Sequence, residues 1–233
     1  MHSYSFEKST FLFKKYHLLG TGSGFTSLLM ERLSIDYSKK TRLEFAIFPS
    51  PKLSTIITEP YNTILNTHVG LEYSDCVFIV DNESLWDICC HSLKNSQSNF
   101  VHINRLVAQV ISNITSGSRF YDGGHSADFL EFQTNLVPFP RIHFPLVSYA
   151  PLHSHQQMYH EQNDLQSLTK ELFHRNNQLV KVEPSTGKYM SVTIIYRGLL
   201  SSIDVNHTIN KLKTDRKISF VDWCPTGFKI GYS

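Results

Sequence analysis

The chain has 233 residues, 41% of them hydrophobic and 18% charged, with a formal net charge of +2 at pH 7. This composition is typical of a folded globular protein and argues against intrinsic disorder. Lysine and arginine are scattered without a basic run, so we expect neither nucleic acid nor a membrane surface as a partner. No stretch approaches the roughly 20 apolar residues of a membrane span.

The cysteines and the amino terminus predict a cytoplasmic protein. Four cysteines without C-x-x-C spacing indicate neither a disulfide framework nor a zinc site, and they favour a reducing compartment. The short apolar run near the amino terminus is followed by Lys14 and Lys15, which is the reverse of a signal peptide.

The first strong pattern is GTGSGFTSLLMERL, residues 20–33, in which three glycines lead into a helical pattern. Gly20, Gly22 and Gly24 permit a sharp turn with exposed N–H groups. Apolar residues at helical spacing follow, namely Phe25, Leu28, Leu29, Leu33 and Tyr37. Such a turn at a helix N-terminus attracts anions, although the spacing fits neither G-x-G-x-x-G nor the P-loop. A tight strand-to-helix turn without a ligand would give the same pattern.

Strands and helices then alternate as far as residue 115. We predict strands at 42–48 and 76–80, the second buried on both faces. Helices are expected from Glu59, where Pro60 suits the first turn, and at 83–90 and 101–115. The last is the clearest, because one apolar stripe runs along it, formed by Ile103, Leu106, Val107, Val110, Ile111 and Ile114. This alternation predicts an α/β fold with a parallel sheet.

The second half has a different pattern. It contains a helix start at 128–135, β-rich segments at 142–149, 178–182, 189–196 and 218–223, and a helix at 205–213. We therefore predict a smaller α+β domain, with the boundary near residue 137.

Asp128 and Glu131 are candidates for chemistry because a spacing of three places both carboxylates on one helix face. One carboxylate could orient water while the other faces a metal or phosphate. The same pair also fits a capping box with Asp128 as the N-cap, and both interpretations can hold together. His153, His155 and His160 lack any metal-ligand spacing, so no metal site is predicted.

Phe100 and Asn104 lie four residues apart at the start of the clearest helix. An aromatic ring can stack on a purine, and an asparagine amide can donate to and accept from its polar edge. Asn82 follows the buried strand, where α/β proteins place ligand contacts. The alternative is a core phenylalanine with two capping or turn asparagines.

Taken in their order along the chain, the segments between Gly20 and Phe228 resemble those of the tubulin family. The resemblance rests on residues 20–33, EPYN from Glu59, VDNE from Val80, INRL from Ile103, EFQTNLVPFPRIHFP from Glu131, YHEQ from Tyr159, GKYM from Gly187 and FVDWCPTGFK from Phe220. Glu131 and WCPTGFK resemble the α chains, since the β chains carry Lys where Glu131 stands.

The resemblance implies a partial Rossmann-like GTPase domain at 20–137, followed by a smaller α+β intermediate domain at 138–233. The implied GTP contacts are Gly20 and Thr21 at the phosphates, Thr55 and Glu59 near the ribose, Asn82 and Asn104 at the guanine, and Phe100 stacked on it. The family also uses Mg²⁺, but the acidic residue associated with it has no counterpart in this chain.

The resemblance further implies a GTPase subunit of the microtubule cytoskeleton in the cytoplasm. It would pair with β-tubulin, and Glu131 would polarise the water that attacks the GTP of the neighbouring β-subunit. Several features depart from the family: residues 1–19 are unlike its amino-terminal strand–helix units, Ser126 replaces an asparagine in the loop before Glu131, and the chain stops at Ser233. We therefore expect a truncated, divergent α-like chain. The alternative is a non-enzymatic remnant that binds no nucleotide or only interacts with tubulin.

Overall fold

The computed structural model describes residues 12–17, 20–50, 52–54, 56–94, 98–120, 129–154, 164–198, 200–215, 218–223 and 228–232. At 12–17, 118 and 129–132 it describes the backbone alone.

The first half is built on a three-stranded parallel sheet of order β1-β2-β3. Its strands are β1 (Leu12–His17), β2 (Arg42–Phe48) and β3 (Cys76–Asp81). The helices α1 (Gly22–Asp36) and α2 (Glu59–Tyr73) connect successive strands and pack against each other. The carboxyl ends of parallel strands meet at one edge of a sheet, so the turns after β1, β2 and β3 share that edge. The predicted strands and the helix beginning at Glu59 are confirmed.

β1 lies within residues 1–19, for which the sequence predicts no element. It pairs with β2 from Leu12↔Arg42 to His17↔Ile47. Two consecutive lysines interrupt its hydrophobic pattern, which explains why it is hard to recognise. Its position puts the glycine turn between a strand and a helix.

The two faces of the sheet differ. On one face Leu43, Phe45, Phe78 and Val80 join a core that includes residues of α3 (Asn82–Asp87), the π-helical turn Ile88–Ser92, and α4 (Phe100–Ile114). The stripe predicted for α4 is confirmed, because Ile103, Leu106, Val107 and Val110 are buried and Ile111 and Ile114 pack against the same core. On the other face the buried Glu44 meets Ser74 and Asn66.

The apolar residues at helical spacing on α1 do not form its buried face. Phe25 and Leu28 are 63% and 69% exposed, whereas Ser23, Thr26 and Met30 are buried. The small polar side chains allow this helix to approach its neighbours closely. Their hydroxyl groups can form hydrogen bonds within the same helix. Thr26 donates to the Gly22 carbonyl at 2.7 Å, and the Ser27 hydroxyl reaches across to α2. The apolar spacing therefore predicted the helix correctly, but it does not mark the side of the helix that is buried.

The second half contains α5 (Ser116–Arg119), α6 (Phe129–Leu136), α7 (Leu165–Glu171), β4 (Val192–Tyr196), α8 (Ser202–Lys213) and β5 (Phe228–Tyr232). β4 and β5 pair in parallel, and Val205 and Ile209 of α8 pack in the cluster that β4 shares. The predicted helix at 205–213 is confirmed, and strand 189–196 is confirmed in its last five residues. The α/β class with an α+β second half is therefore confirmed.

Three predicted strands are wrong as continuous elements, because 142–149, 178–182 and 218–223 make only the isolated bridges Ile79↔Leu146, Ser148↔Gln178 and Tyr189↔Phe220. These segments dock by single backbone bonds. Val77 N–H donates to the His143 carbonyl at 2.8 Å. The β-rich composition therefore reflects burial, since Val147 and Leu179 enter the main core.

No helix in the described ranges is long and apolar enough to cross a membrane.

Candidate functional site

The glycine turn between β1 and α1 is closed by Ser23. Its backbone N–H and its hydroxyl both donate to the Gly20 carbonyl, at 3.0 and 2.7 Å. None of Gly20, Gly22 and Gly24 has a positive φ, and a Cβ added at any of them would meet no described atom within 4 Å. The turn therefore does not need glycine for its backbone conformation, which corrects our expectation. What the glycines provide is open space beside the backbone, as a closely approaching ligand requires.

Among the residues that the structure describes, no side chain caps the N-terminus of α1. Thr21 stands at the N-cap with no side-chain cap bond, and the first turn has no acidic residue. The helices α3, α4 and α8 begin with capping side chains, namely Asp81, Asn99 and Ser201, whereas α2 and α7 share the lack of a side-chain cap with α1. The first N–H groups of a helix have no partner within it, so those of α1 other than the Ser23 N–H, which donates to the Gly20 carbonyl, can donate to an anion.

Glu59 begins α2, and it is 5% exposed. The Ser54 hydroxyl donates to one of its carboxylate oxygens. A carboxylate has two acceptor oxygens, so the second oxygen is the one that could accept from a ribose hydroxyl. Thr55, the other residue implied near the ribose, lies outside the described residues.

Asn82 is the first residue of α3 and is half-buried at the carboxyl edge of the sheet. The preceding residue, Asp81, caps the helix by accepting from the Glu83 N–H at 2.9 Å. Burial raises the pKa of the Asp81 carboxyl. Because Asp81 is the cap, the interpretation of Asn82 as a capping residue is wrong.

Phe100 and Asn104 lie one turn apart on the exposed side of α4, away from its core stripe. The ring of Phe100 is 67% exposed, and Asn99 caps this helix by accepting from the N–H groups of Val101 and His102. The alternative of a core phenylalanine and a capping Asn104 is therefore wrong. Both side chains are presented on the surface, where a planar ligand could use them.

Glu131 lies in α6, whose backbone alone is described at that position, and Asp128 lies outside the described residues. Their catalytic and capping roles stay predictions. No group of three His, Cys, Asp or Glu side chains that could hold a metal ion occurs among the residues that the structure describes.

An ion cluster beside Asn82 was not predicted. Lys181 donates to Glu83 and, at 2.9 Å, to Asp87, and both contacts raise the pKa of the lysine. The Nζ atom of Lys52 lies 3.9 Å from Glu83. Lys181 and Glu83 are 98 residues apart in the chain, so no local pattern connects them.

Two family models match the chain. Residues 18–90 match the GTPase domain of the Tubulin/FtsZ family, and residues 140–233 match the tubulin C-terminal domain. The first match covers strands β2 and β3, the glycine turn, Glu59 and Asn82, and the second covers α7, α8, β4 and β5. Together they account for most of the chain, which belongs to the tubulin family.

Proposed function

We propose that this chain is an α-tubulin-like subunit that binds GTP, pairs with β-tubulin and enters the microtubule cytoskeleton of the cytoplasm. The GTPase-domain match supports GTP binding. The observation that carries the proposal is the turn before α1, where three glycines leave open space beside an uncapped helix N-terminus. An anionic phosphate chain suits both features.

The remaining contacts follow from the chemistry of the nucleotide. Thr55 and Glu59 would accept from or donate to the ribose hydroxyls. Guanine presents N–H donors and a carbonyl acceptor on one edge, and the amides of Asn82 and Asn104 can satisfy both kinds of group. Phe100 offers an exposed ring for stacking. The described residues do not supply a set of metal ligands, so we assign no protein ligand to Mg²⁺.

Thermal unfolding with added nucleotide tests the binding site. We expect millimolar GTP to raise the Tm of the chain, because a ligand at 100 times its Kd stabilises the folded state by about 2.7 kcal/mol. ATP, which carries a different base, should raise the Tm less. Asn82→Ala and Asn104→Ala should reduce this difference. Asn210→Ala, an exposed asparagine on α8, is the matched control. Absence of any shift with millimolar GTP would refute nucleotide binding.

Glu131 is proposed to act on the GTP of a β-tubulin neighbour, where its carboxylate would accept a proton from the attacking water. We expect Glu131→Ala to slow GTP turnover in mixed polymers while leaving co-sedimentation with microtubules unchanged. Glu72→Ala, an exposed carboxylate on α2, should have no effect on either measurement. Equal turnover with Glu131→Ala and the unmodified chain would remove this role.

A second candidate is a non-enzymatic protein that interacts with tubulin without nucleotide. One observation favours it: α1 and α2 expose a wide apolar surface, with Phe25, Leu28, Tyr61, Ile64 and Leu65 each more than 60% exposed. Surfaces of this kind commonly mark protein contacts. Co-sedimentation that is insensitive to GTP, together with no thermal shift, would support this candidate over the first.

A further inference from the structure

The residues on both sides of Asn82 are held by one segment of the second half, residues 178–181. The Asp81 N–H donates to the Leu179 carbonyl at 2.9 Å, and the Asp81 carboxylate accepts from the backbone N–H of Lys181. The Ser84 hydroxyl donates to the Gln178 carbonyl at 2.6 Å. Asn82 therefore lies in a stretch of backbone whose position depends on residues almost one hundred positions later.

The strongest link is electrostatic. Glu83 follows Asn82 directly and is 6% exposed, and one of its carboxylate oxygens is bound by Lys181. The other, Oε2, is buried and has no hydrogen-bond partner among the described residues. The Nζ atom of Lys52 is too far from Glu83, at 3.9 Å, for a hydrogen bond, and its side chain is 77% exposed. Lys181 is therefore the main compensation for this buried charge.

Removing the cation from a buried ion pair is far more costly than removing both partners, because an uncompensated charge stays in the interior. The Glu83 carboxylate would then have to reach solvent, and the first turn of α3 would have to move with it. Asn82 occupies that turn.

We propose that Lys181 is a positioning residue for recognition of the guanine base: by neutralising Glu83 it holds Asn82 where its amide can bind the base edge. This inference rests on the proposed function of GTP binding. Lys181 itself does not contact the nucleotide. The second half of the chain thereby takes part in selecting the base, although no residue of 178–181 belongs to the predicted site.

The test compares GTP with ATP, because the two share phosphates and ribose and differ in the base. We expect Lys181→Met to weaken GTP binding roughly fivefold to tenfold, the loss expected for a misplaced polar contact, while ATP affinity stays unchanged. Lys181→Arg should restore the preference for GTP. Lys188→Met is the matched control, since Lys188 pairs at 3.7 Å with an exposed Asp222 in the same half.

A purely structural role for Lys181 would lower both affinities equally, and that result would overturn the inference. The inference would also be overturned if Lys181→Met bound both nucleotides as tightly as the unmodified chain does. If the unmodified chain itself shows no preference for GTP, the proposed function fails, which is a different outcome from a preference that is insensitive to Lys181.

The double variant Glu83→Gln with Lys181→Met covers the case in which Lys181→Met does not fold. It removes the buried carboxylate of Glu83 together with its cation, so we expect it to fold and to retain more of the GTP preference than Lys181→Met. Hydrogen exchange should show faster exchange of amides 82–87 in Lys181→Met and unchanged exchange in β4 and β5. A double variant that has lost the GTP preference completely would contradict the compensation of Glu83 by Lys181.

Discussion

Glu44 is a carboxylate on the central strand β2, and it is 3% exposed. The Ser74 hydroxyl donates to it at 2.9 Å, and Asn66, which also accepts from Ser27 of α1, is a second partner. Burial raises the pKa of Glu44, and the hydrogen bonds from Ser74 and Asn66 oppose that change without cancelling it. A polar network therefore joins the sheet to both α1 and α2 at a position where an apolar side chain would be usual.

The raised pKa of Glu44 predicts a pH dependence of stability. The folded state binds this proton more tightly than the unfolded chain, so its contribution to stability is fully present below the ordinary pKa of 4.5 and is lost as the pH rises through the raised pKa. Each unit of pKa difference corresponds to about 1.4 kcal/mol. We expect the Tm of the unmodified chain to fall relative to that of Glu44→Gln between acidic and neutral pH.

The exposed Glu72 on α2 gives the control for this measurement, in the matched variant Glu72→Gln. If the Tm difference between Glu44→Gln and the unmodified chain did not change with pH, the pKa of Glu44 would be the same in the folded and the unfolded state, and the prediction would be wrong.

Among the site residues, local sequence was sufficient wherever one short segment carried the signal. The glycine turn, Asn82 and the pair Phe100 and Asn104 were chosen from such segments, and the structure places Asn82 after β3 and the pair on the exposed side of α4. Their roles in binding stay predictions. The pairing of Lys181 with Glu83 could not be predicted, because only the folded chain brings these residues together.

At the level of single elements, α1 and α4 show what hydrophobic spacing can decide. In α4 the predicted stripe is the buried face. In α1 Phe25 and Leu28 are exposed, and the small polar residues Ser23 and Thr26 are buried together with Met30. Spacing identifies a helix, because it follows from 3.6 residues per turn, but the buried face depends on which neighbours are present.

The α4 stripe predicts a contrast between two substitutions on the same helix. Leu106 is 5% exposed, and Leu106→Ala should lower the free energy of unfolding by about 2–5 kcal/mol through lost burial and a residual cavity. Val101 is 64% exposed, so Val101→Ala should change it by less than about 0.5 kcal/mol. Denaturant unfolding with an unchanged m-value measures both. Similar losses for the two variants would contradict the assigned core.

At the level of the whole molecule, the two halves share one hydrophobic core, and segments of the second half bind along strand β3 of the first. Val147, Leu152 and Leu179 of the second half are buried with residues of β2, β3 and α4. His143 and Leu179 also accept from the N–H groups of Val77 and Asp81 along β3. Residues 142–148 and 178–181 therefore cover the edge of β3 that the three-stranded sheet would otherwise expose.

This shared core predicts that residues 1–137 are not stable alone. A fragment of that length would lose three buried core residues and expose the β3 edge, and a domain has only about 5–15 kcal/mol of stability to lose. We expect its thermal unfolding to be non-cooperative, or to occur at a much lower Tm than that of the full chain. Cooperative unfolding of the fragment at the Tm of the full chain would show that the halves are independent.

The sequence by itself determined the family, the α/β order of the first half and the local segments that carry the candidate site, because each depends on residues close together in the chain. Tertiary structure decided which face of α1 is buried, that residues 12–17 add a strand, and that 142–149 and 178–182 dock as edge segments instead of forming strands. It also decided the compensation of Glu83 by Lys181. The physical reason is that burial and charge compensation depend on neighbours, and those neighbours are distant in the sequence.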